Sequence, residues 1–155
     1  MRVRDAYEQD AEEACAVIRR SIIELCILDH QCDPGTLAGW LANKTPANVR
    51  QWIRTHHVLV ADDEGGILGV AAMSASGHIL LNYVSPDARF RGVSKALIRG
   101  IEARAAGLGL SCLALESTST ATGFYRAAGY APSGAPVRRP GANLTHPMQK
   151  RLPDQ

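Results

Sequence analysis

Leu80-Leu81-Asn82-Tyr83-Val84-Ser85-Pro86-Asp87-Ala88-Arg89-Phe90-Arg91-Gly92-Val93-Ser94-Lys95 decides how the chain is read. An apolar run stops at Val84-Ser85-Pro86, and a short loop then carries two arginines and a glycine. A helical pattern starts at once, with Val93, Leu97, Ile101, Ala105 and Leu108 at three- and four-residue steps and Gly107 and Gly109 to end it. A strand, a tight loop and a helix start make an anion site from backbone alone. The first-turn N–H groups have no intrahelical partner, and the helix dipole leaves about half a positive charge there. Gly92 lets a phosphate approach the main chain, and Arg89, Arg91 and Lys95 add positive charge. Neither G-x-x-x-x-G-K-[ST] nor G-x-G-x-x-G occurs, which disfavours a nucleotide hydrolase and a Rossmann dehydrogenase.

Outward from this segment, His78–Val84 reads as the strand before the loop and Ser111–Leu115 as the strand after the helix. Ala121–Ala128 is a short helix stopped by Gly129, and a last strand is expected over Leu144–Leu152, beyond a stretch broken by Pro132, Pro136 and Pro140. Upstream, His57–Ala61 and Ile67–Ser74 flank Gly65-Gly66 as a hairpin. Asp10–Ile27 has an apolar stripe of Ala11, Ala14, Cys15, Ile18, Ile22 and Leu25, with Asp10 and Glu13 resembling a capping box. Asp33-Pro34-Gly35 turns the chain, and a second helical region follows, interrupted near Thr45-Pro46, where Pro46 suits a first turn. Met1–Tyr7 reads as an opening strand. This order predicts an α/β or α+β sheet with helices against it.

The length, 155 residues, fits a single domain over 1–155, and 46% hydrophobic residues suffice for a largely aliphatic core. Seventeen Lys and Arg against fifteen Asp and Glu give a net charge of +2, which argues against a nucleic-acid partner held by a broad basic surface. No run of about 18 apolar residues is present, so no membrane span is expected. Met1-Arg2-Val3-Arg4-Asp5 is not followed by the apolar core of a secretory signal, and a cytoplasmic location is expected. Cys15, Cys26, Cys32 and Cys112 match no zinc spacing, so no metal is expected and the four read as buried, reduced thiols. A catalytic cysteine would need an activating neighbour.

Arg89-x-x-Gly92-x-Ser94 resembles the R/Q-x-x-G-x-G/A pyrophosphate loop of the GNAT superfamily of N-acetyltransferases. Ala121-x-x-Phe124-Tyr125-x-x-x-Gly129-Tyr130 is similar to that family's A-x-x-F-Y-x-x-x-G-F/Y motif, one helix and one strand further on. Two positions depart from the pattern. Ser94 replaces the usual Gly or Ala, and Thr118 stands where Asn often contacts the pantetheine arm. The resemblance implies a mixed, mostly antiparallel sheet with a splayed parallel strand pair, His78–Val84 and Ser111–Ser117, and helices on both faces. It also implies acetyl-CoA as co-substrate and a small-molecule or peptide amine as acceptor; a homodimer would be in keeping with the family.

Under that resemblance, Tyr83 and Val84 flank the cofactor arm, and Val84 offers it backbone groups in the manner of an added strand. Amides of Phe90, Arg91, Gly92, Val93 and Ser94 hold the pyrophosphate, and Lys95 or Arg126 reaches the 3′-phosphate. A backbone N–H at a bulge near Asn82 serves the oxyanion. Tyr125, with an ordinary pKa of about 10, protonates the leaving thiolate; its alternative is a packing aromatic. His78 and Glu116 are the candidate bases, against a turn histidine after Gly77 and a strand-end surface charge. His30 and Asp33 lie where an acceptor should enter, although Asp33 also suits the start of the Asp-Pro-Gly turn, and Trp40 and Trp52 read as packing. A non-catalytic acyl-CoA sensor on the same fold is the alternative function.

Overall fold

The computed structural model describes residues 1–138 and 143–153; Pro140, expected in the loop-rich stretch, lies outside them. The strands are β1 (Arg2–Asp5), β2 (His57–Asp63), β3 (Gly66–Met73), β4 (His78–Val84), β5 (Cys112–Thr118), β6 (Ala131–Pro132), β7 (Val137–Arg138) and β8 (Leu144–Arg151). The helices are α1 (Ala11–Leu25), α2 (Ile27–His30), α3 (Pro34–Leu41), α4 (Pro46–Thr55), α5 (Val93–Gly107) and α6 (Thr122–Ala127). Among the described residues the sheet runs β1-β2-β3-β4-β5-β8-β6, with β7 also paired to β8. Every pairing is antiparallel except β4–β5.

Strand alternation divides the core between the two faces. On one face Leu59, Ala61, Ala71, Met73 and Leu113 pack under α5 residues Val93, Leu97, Ile98 and Ile101, with Tyr125 of α6. On the other, Val58, Val60, Val70 and Ala72 pack under α1 residues Ala14, Ile18 and Ile22, with Val49 of α4. Helices therefore cover both faces, as the resemblance implied.

Helix starts follow local chemistry. Asp33 accepts from the Thr36 N–H at 2.8 Å and Thr45 from the Asn48 N–H at 3.1 Å, each ahead of a proline in the first turn. The expected capping box at α1 does not form. Asp10 is drawn instead to Arg4, at 2.8 Å, and accepts from the Tyr7 N–H, while Glu13 reaches across to the Ile67 N–H at 2.6 Å. An arginine contact outbids a neutral N–H for a carboxylate. Among the thiols, Cys15 is buried as expected, but Cys32 and Cys112 are exposed. Cys112 starts β5 on the side away from Leu113 and Leu115, so alternation turns it outward.

The placement of α5 depends on Gly69. A Cβ there would lie 2.7 Å from Val93 Cγ1, 2.9 Å from Leu97 Cδ1 and 3.0 Å from the Tyr83 carbonyl, so the first turn of α5 touches bare backbone of β3. Gly69→Ala is expected to cost about 1–3 kcal/mol by overpacking. In urea denaturation the midpoint should fall at constant slope; an unchanged midpoint would show that the helix is not held there.

Candidate active site

β4 and β5 share only two register pairs, His78↔Ala114 and Ile79↔Leu115. Beyond them β4 stays paired to β3 as far as Val84↔Gly69, and β5 to β8 as far as Thr118↔Thr145. Each strand follows its outer neighbour, so the two part and leave facing edges unpaired. A cavity of about 160 Å³ opens between them, walled by Asn82, Tyr83 and Val84 from β4, Leu115 to Thr118 from β5, and Ala121, Tyr125, Leu25 and Cys26.

A β-bulge sets which side chains face it. Ala72 pairs with Leu81 and Met73 with Ile79, leaving Leu80 as the extra residue. The bulge lies at Leu80, two residues before the expected position near Asn82. It reverses the alternation. Ile79 belongs to the α5 face, whereas Leu81 and Tyr83 belong to the α1 face. Asn82 is thereby turned toward the α5 and α6 side, where it lines the cavity together with Tyr125.

Tyr125 is buried, with ring contacts to Phe124 at 5.1 Å and Tyr130 at 5.6 Å between centroids. Burial pushes its phenol above the ordinary value, and the weaker influence of the Asn82 carboxamide works the other way. The hydroxyl therefore keeps its proton at neutral pH, a proton available to be given away. Asn82 Oδ1 is buried without a partner among the described residues, a ready acceptor for a ligand N–H. On the other face Trp40 Nε1–H donates to the Tyr83 hydroxyl at 3.1 Å. Burial pushes the Cys26 thiol up to about 12, which removes it as a neutral-pH thiolate nucleophile.

After Val84, Ser85–Ala88 forms a tight turn, and among the described residues no side chain caps the N-terminus of α5. Gly92 takes a left-handed conformation at φ 78°, and a Cβ there would meet nothing within 4 Å, so no neighbour crowds that side of the backbone at the start of α5. Phe90 is also left-handed, at φ 63°, and 92% exposed, with the Arg89 guanidinium 4.7 Å from its ring centroid. Arg91 holds Asp63, the last residue of β2, at 3.4 Å. A groove of about 410 Å³ between α5 and α6 is lined by Lys95, Arg99 and Phe124.

The structure thus gathers Asn82, Tyr83, Val84, Glu116, Thr118 and Tyr125 around one cavity, and Arg89 to Lys95 follow β4 through the Ser85–Ala88 turn into the start of α5. It does not bring His78 or Arg126 to that cavity. His78 lies at the closed end of β4–β5, its N–H on Ser74 Oγ at 3.2 Å. Arg126 lines a different cavity with Pro132, Pro136 and His146. Glu116 is exposed at the rim, as the strand-end surface charge weighed against a base there would be. His30 is fully engaged, its Nε2 on the Ile22 carbonyl and its Nδ1 accepting from the Cys32 N–H. Sequence reasoning passed over Arg99, although its i,i+4 spacing from Lys95 was visible. It also passed over the placing of Asn82 beside Tyr125, which depends on a bulge no local pattern announces. Among the described residues no cluster of three or more His, Cys, Asp or Glu could hold a metal ion, and no helix is long and apolar enough to cross a membrane.

A splayed parallel pair inside a mostly antiparallel sheet, with an uncapped helix following its first strand, is the architecture of a GNAT acetyltransferase domain. The chain belongs to this family: the model for the acetyltransferase (GNAT) domain matches residues 29–152. The amino-acid acetyltransferase of Pseudomonas putida is 39% identical over 91 residues, covering 56% of this chain and 21% of that protein. The chain thus spans about a fifth of the length of the curated relative it matches. A GCN5-related N-acetyltransferase from Rhodopseudomonas palustris, designated aminotransferase class II, superposes with a TM-score of 0.87 at 26% identity, over 97% of this chain and 95% of the other. The PaiA N-acetyltransferase of Thermoplasma acidophilum, solved with coenzyme A, has the same fold with a TM-score of 0.79 at 15% identity, over 97% and 98%.

Burial raises the phenols of Tyr83, Tyr125 and Tyr130 as well as the Cys26 thiol. A proton held more tightly in the folded state stabilises it fully below the unfolded pKa, and that contribution is lost as pH rises through the folded value. The thiol contribution therefore starts to decline near 9 and the phenol contribution near 10. Melting temperature should fall between about pH 9 and 11. Tyrosinate absorbance from these three rings should appear only with unfolding; earlier ionisation would contradict their burial.

Proposed function

We propose that this chain is an acetyl-CoA-dependent N-acetyltransferase, a single domain over residues 1–155, that moves an acetyl group directly to a primary amine. The observation that carries the reading is the cavity between the parted edges of β4 and β5, with Tyr125 in its wall and the uncapped α5 following β4. Family membership supports the same reading. A cytoplasmic location is part of the proposal, in keeping with four free thiols.

The residues present fit the co-substrate. Unpaired backbone of Asn82 to Val84 can pair with an amide-bearing arm as a strand edge would. The α5 first-turn amides around Gly92 offer donors to the pyrophosphate. Lys95 and Arg99, rather than Arg126, border the groove suited to the 3′-phosphate. When bound, acetyl-CoA supplies an acetyl thioester. The amine nitrogen bonds to the acetyl carbon as the carbon–sulfur bond breaks, and Tyr125 gives its proton to the departing sulfur. Glu116 at the rim, or water reaching it, takes the proton the amine loses. The raised Cys26 thiol favours direct transfer over an acetyl-cysteine intermediate.

Calorimetric titration with acetyl-CoA, with CoA and NAD as controls, should show binding in the micromolar range or tighter for the CoA compounds alone. Gly92→Glu should abolish it by placing bulk and negative charge among the amides; unchanged affinity would sink the loop assignment. Tyr125→Phe should keep cofactor affinity and lose roughly a hundredfold or more in turnover, read by thiol release. Full turnover in that variant would remove Tyr125 as the acid. No turnover of any amine by the wild type, with binding intact, would make the domain a sensor.

A further inference from the structure

Lys44, in the loop between α3 and α4, is 8% exposed. Its Nζ donates to Asn43 Oδ1 at 2.6 Å and to the Trp40 carbonyl at 3.3 Å. Both acceptors are neutral, and no carboxylate pairs with it among the described residues. An ammonium has three donors, so one N–H remains. A buried charge without a counter-charge destabilises its surroundings unless something compensates it; here burial already presses the amine toward its neutral form. The group borders a cavity of about 260 Å³ whose wall includes His56, Leu80 and Leu81. His56 Nδ1 is buried without a partner among the described residues, a second donor in the tautomer that carries its proton there. Leu80 and Leu81, the bulge, line both this cavity and the one between β4 and β5. A purely structural lysine closing the end of α3 would need no cavity beside it, and Arg19 already holds the Leu41 and Lys44 carbonyls at 3.0 and 2.9 Å.

We propose that this cavity seats a carboxylate of the acceptor against Lys44 while its amine crosses the Leu80 bulge toward Tyr125, so that the acceptor class is a small amine bearing a carboxylate, a free amino acid being the simplest case. The inference rests on the acetyltransferase reading for its chemistry, but not for its anion site.

The test compares the twenty free amino acids with their α-carboxamides as acceptors for the wild type and for Lys44→Met, read by thiol release. In parallel, the melting temperature of the CoA-loaded protein is measured with the matching N-acetyl amino acids and N-acetyl amino-acid amides. For the amino acids used, the wild type should favour the free carboxylate roughly tenfold or more in kcat/KM. Lys44→Met should lose that preference through KM, keep its amide turnover and bind acetyl-CoA as before. N-acetyl carboxylates, not amides, should raise the wild-type melting temperature, and Lys44→Met should lose the rise. Amides accepted as well as carboxylates, or a preference that survives Lys44→Met, would overturn the anion site while leaving catalysis standing. No turnover of any amine, together with a Lys44-dependent rise from N-acetyl carboxylates, would overturn catalysis and keep the site. No turnover and no such rise would overturn both. If Lys44→Met does not fold, the wild-type comparison of carboxylates with amides decides.

Discussion

Two register pairs join β4 to β5, and the rest of the site follows from that limit. Each strand is fully committed on its outer side, β4 to β3 and β5 to β8, so the middle of the sheet gives way. Unpaired main-chain groups away from water are costly. A gap of this kind persists because α1 and α6 pack across its two sides and hold its width. The close approach at Gly69 then fixes where α5 begins, and with it where the first-turn amides face. The candidate site is therefore a property of backbone pairing first and of side chains second.

The bulge at Leu80 adds the second layer. One inserted residue shifts Leu81 and Tyr83 to the α1 face and Asn82 to the α6 face. Without it, the Asn82 carboxamide would be turned away from Tyr125, and Tyr83 away from Trp40. The same residue forms part of the wall of two neighbouring cavities, one holding the phenol and one bordered by the buried ammonium of Lys44. A single irregularity in one strand thus connects the two sides of the sheet chemically.

Much of this frame was legible in the residues. β4 and the start of α5 follow from the apolar run to Val84, the Ser85-Pro86 break and the four-residue repeat from Val93, each a local signal. Pro46 behind Thr45 marked a helix start for the same reason. The capping reading at Asp10 failed because Arg4, six residues away in sequence, competes for the carboxylate through a tertiary contact. The bulge, the parting of β4 and β5, and the isolation of Lys44 arise from register and packing, to which no spacing rule applies. The exposure of Glu116 fits its reading as a strand-end charge: Leu113 and Leu115 face inward, and alternation sends Ala114 and Glu116 the other way. Phe124 and Tyr125 were visible as a motif, but the placing of Asn82 beside Tyr125 in one cavity wall was not.

A sheet that opens in its middle carries edges where aggregation-prone proteins carry them, yet here they face inward. Unpaired strand edges invite foreign strands. The gap is only about 160 Å³ and is flanked by Leu25 and Cys26 on one side and Tyr125 on the other, room for a slender chain but not for a peptide strand with side chains. The outer edges are blunted by other means: β1 is four residues long and carries Arg2 and Arg4, and β6 is two residues long and ends in Pro132. The molecule thus turns its unpaired strand edges inward, into a gap whose width, rather than its charge, limits what can pair there.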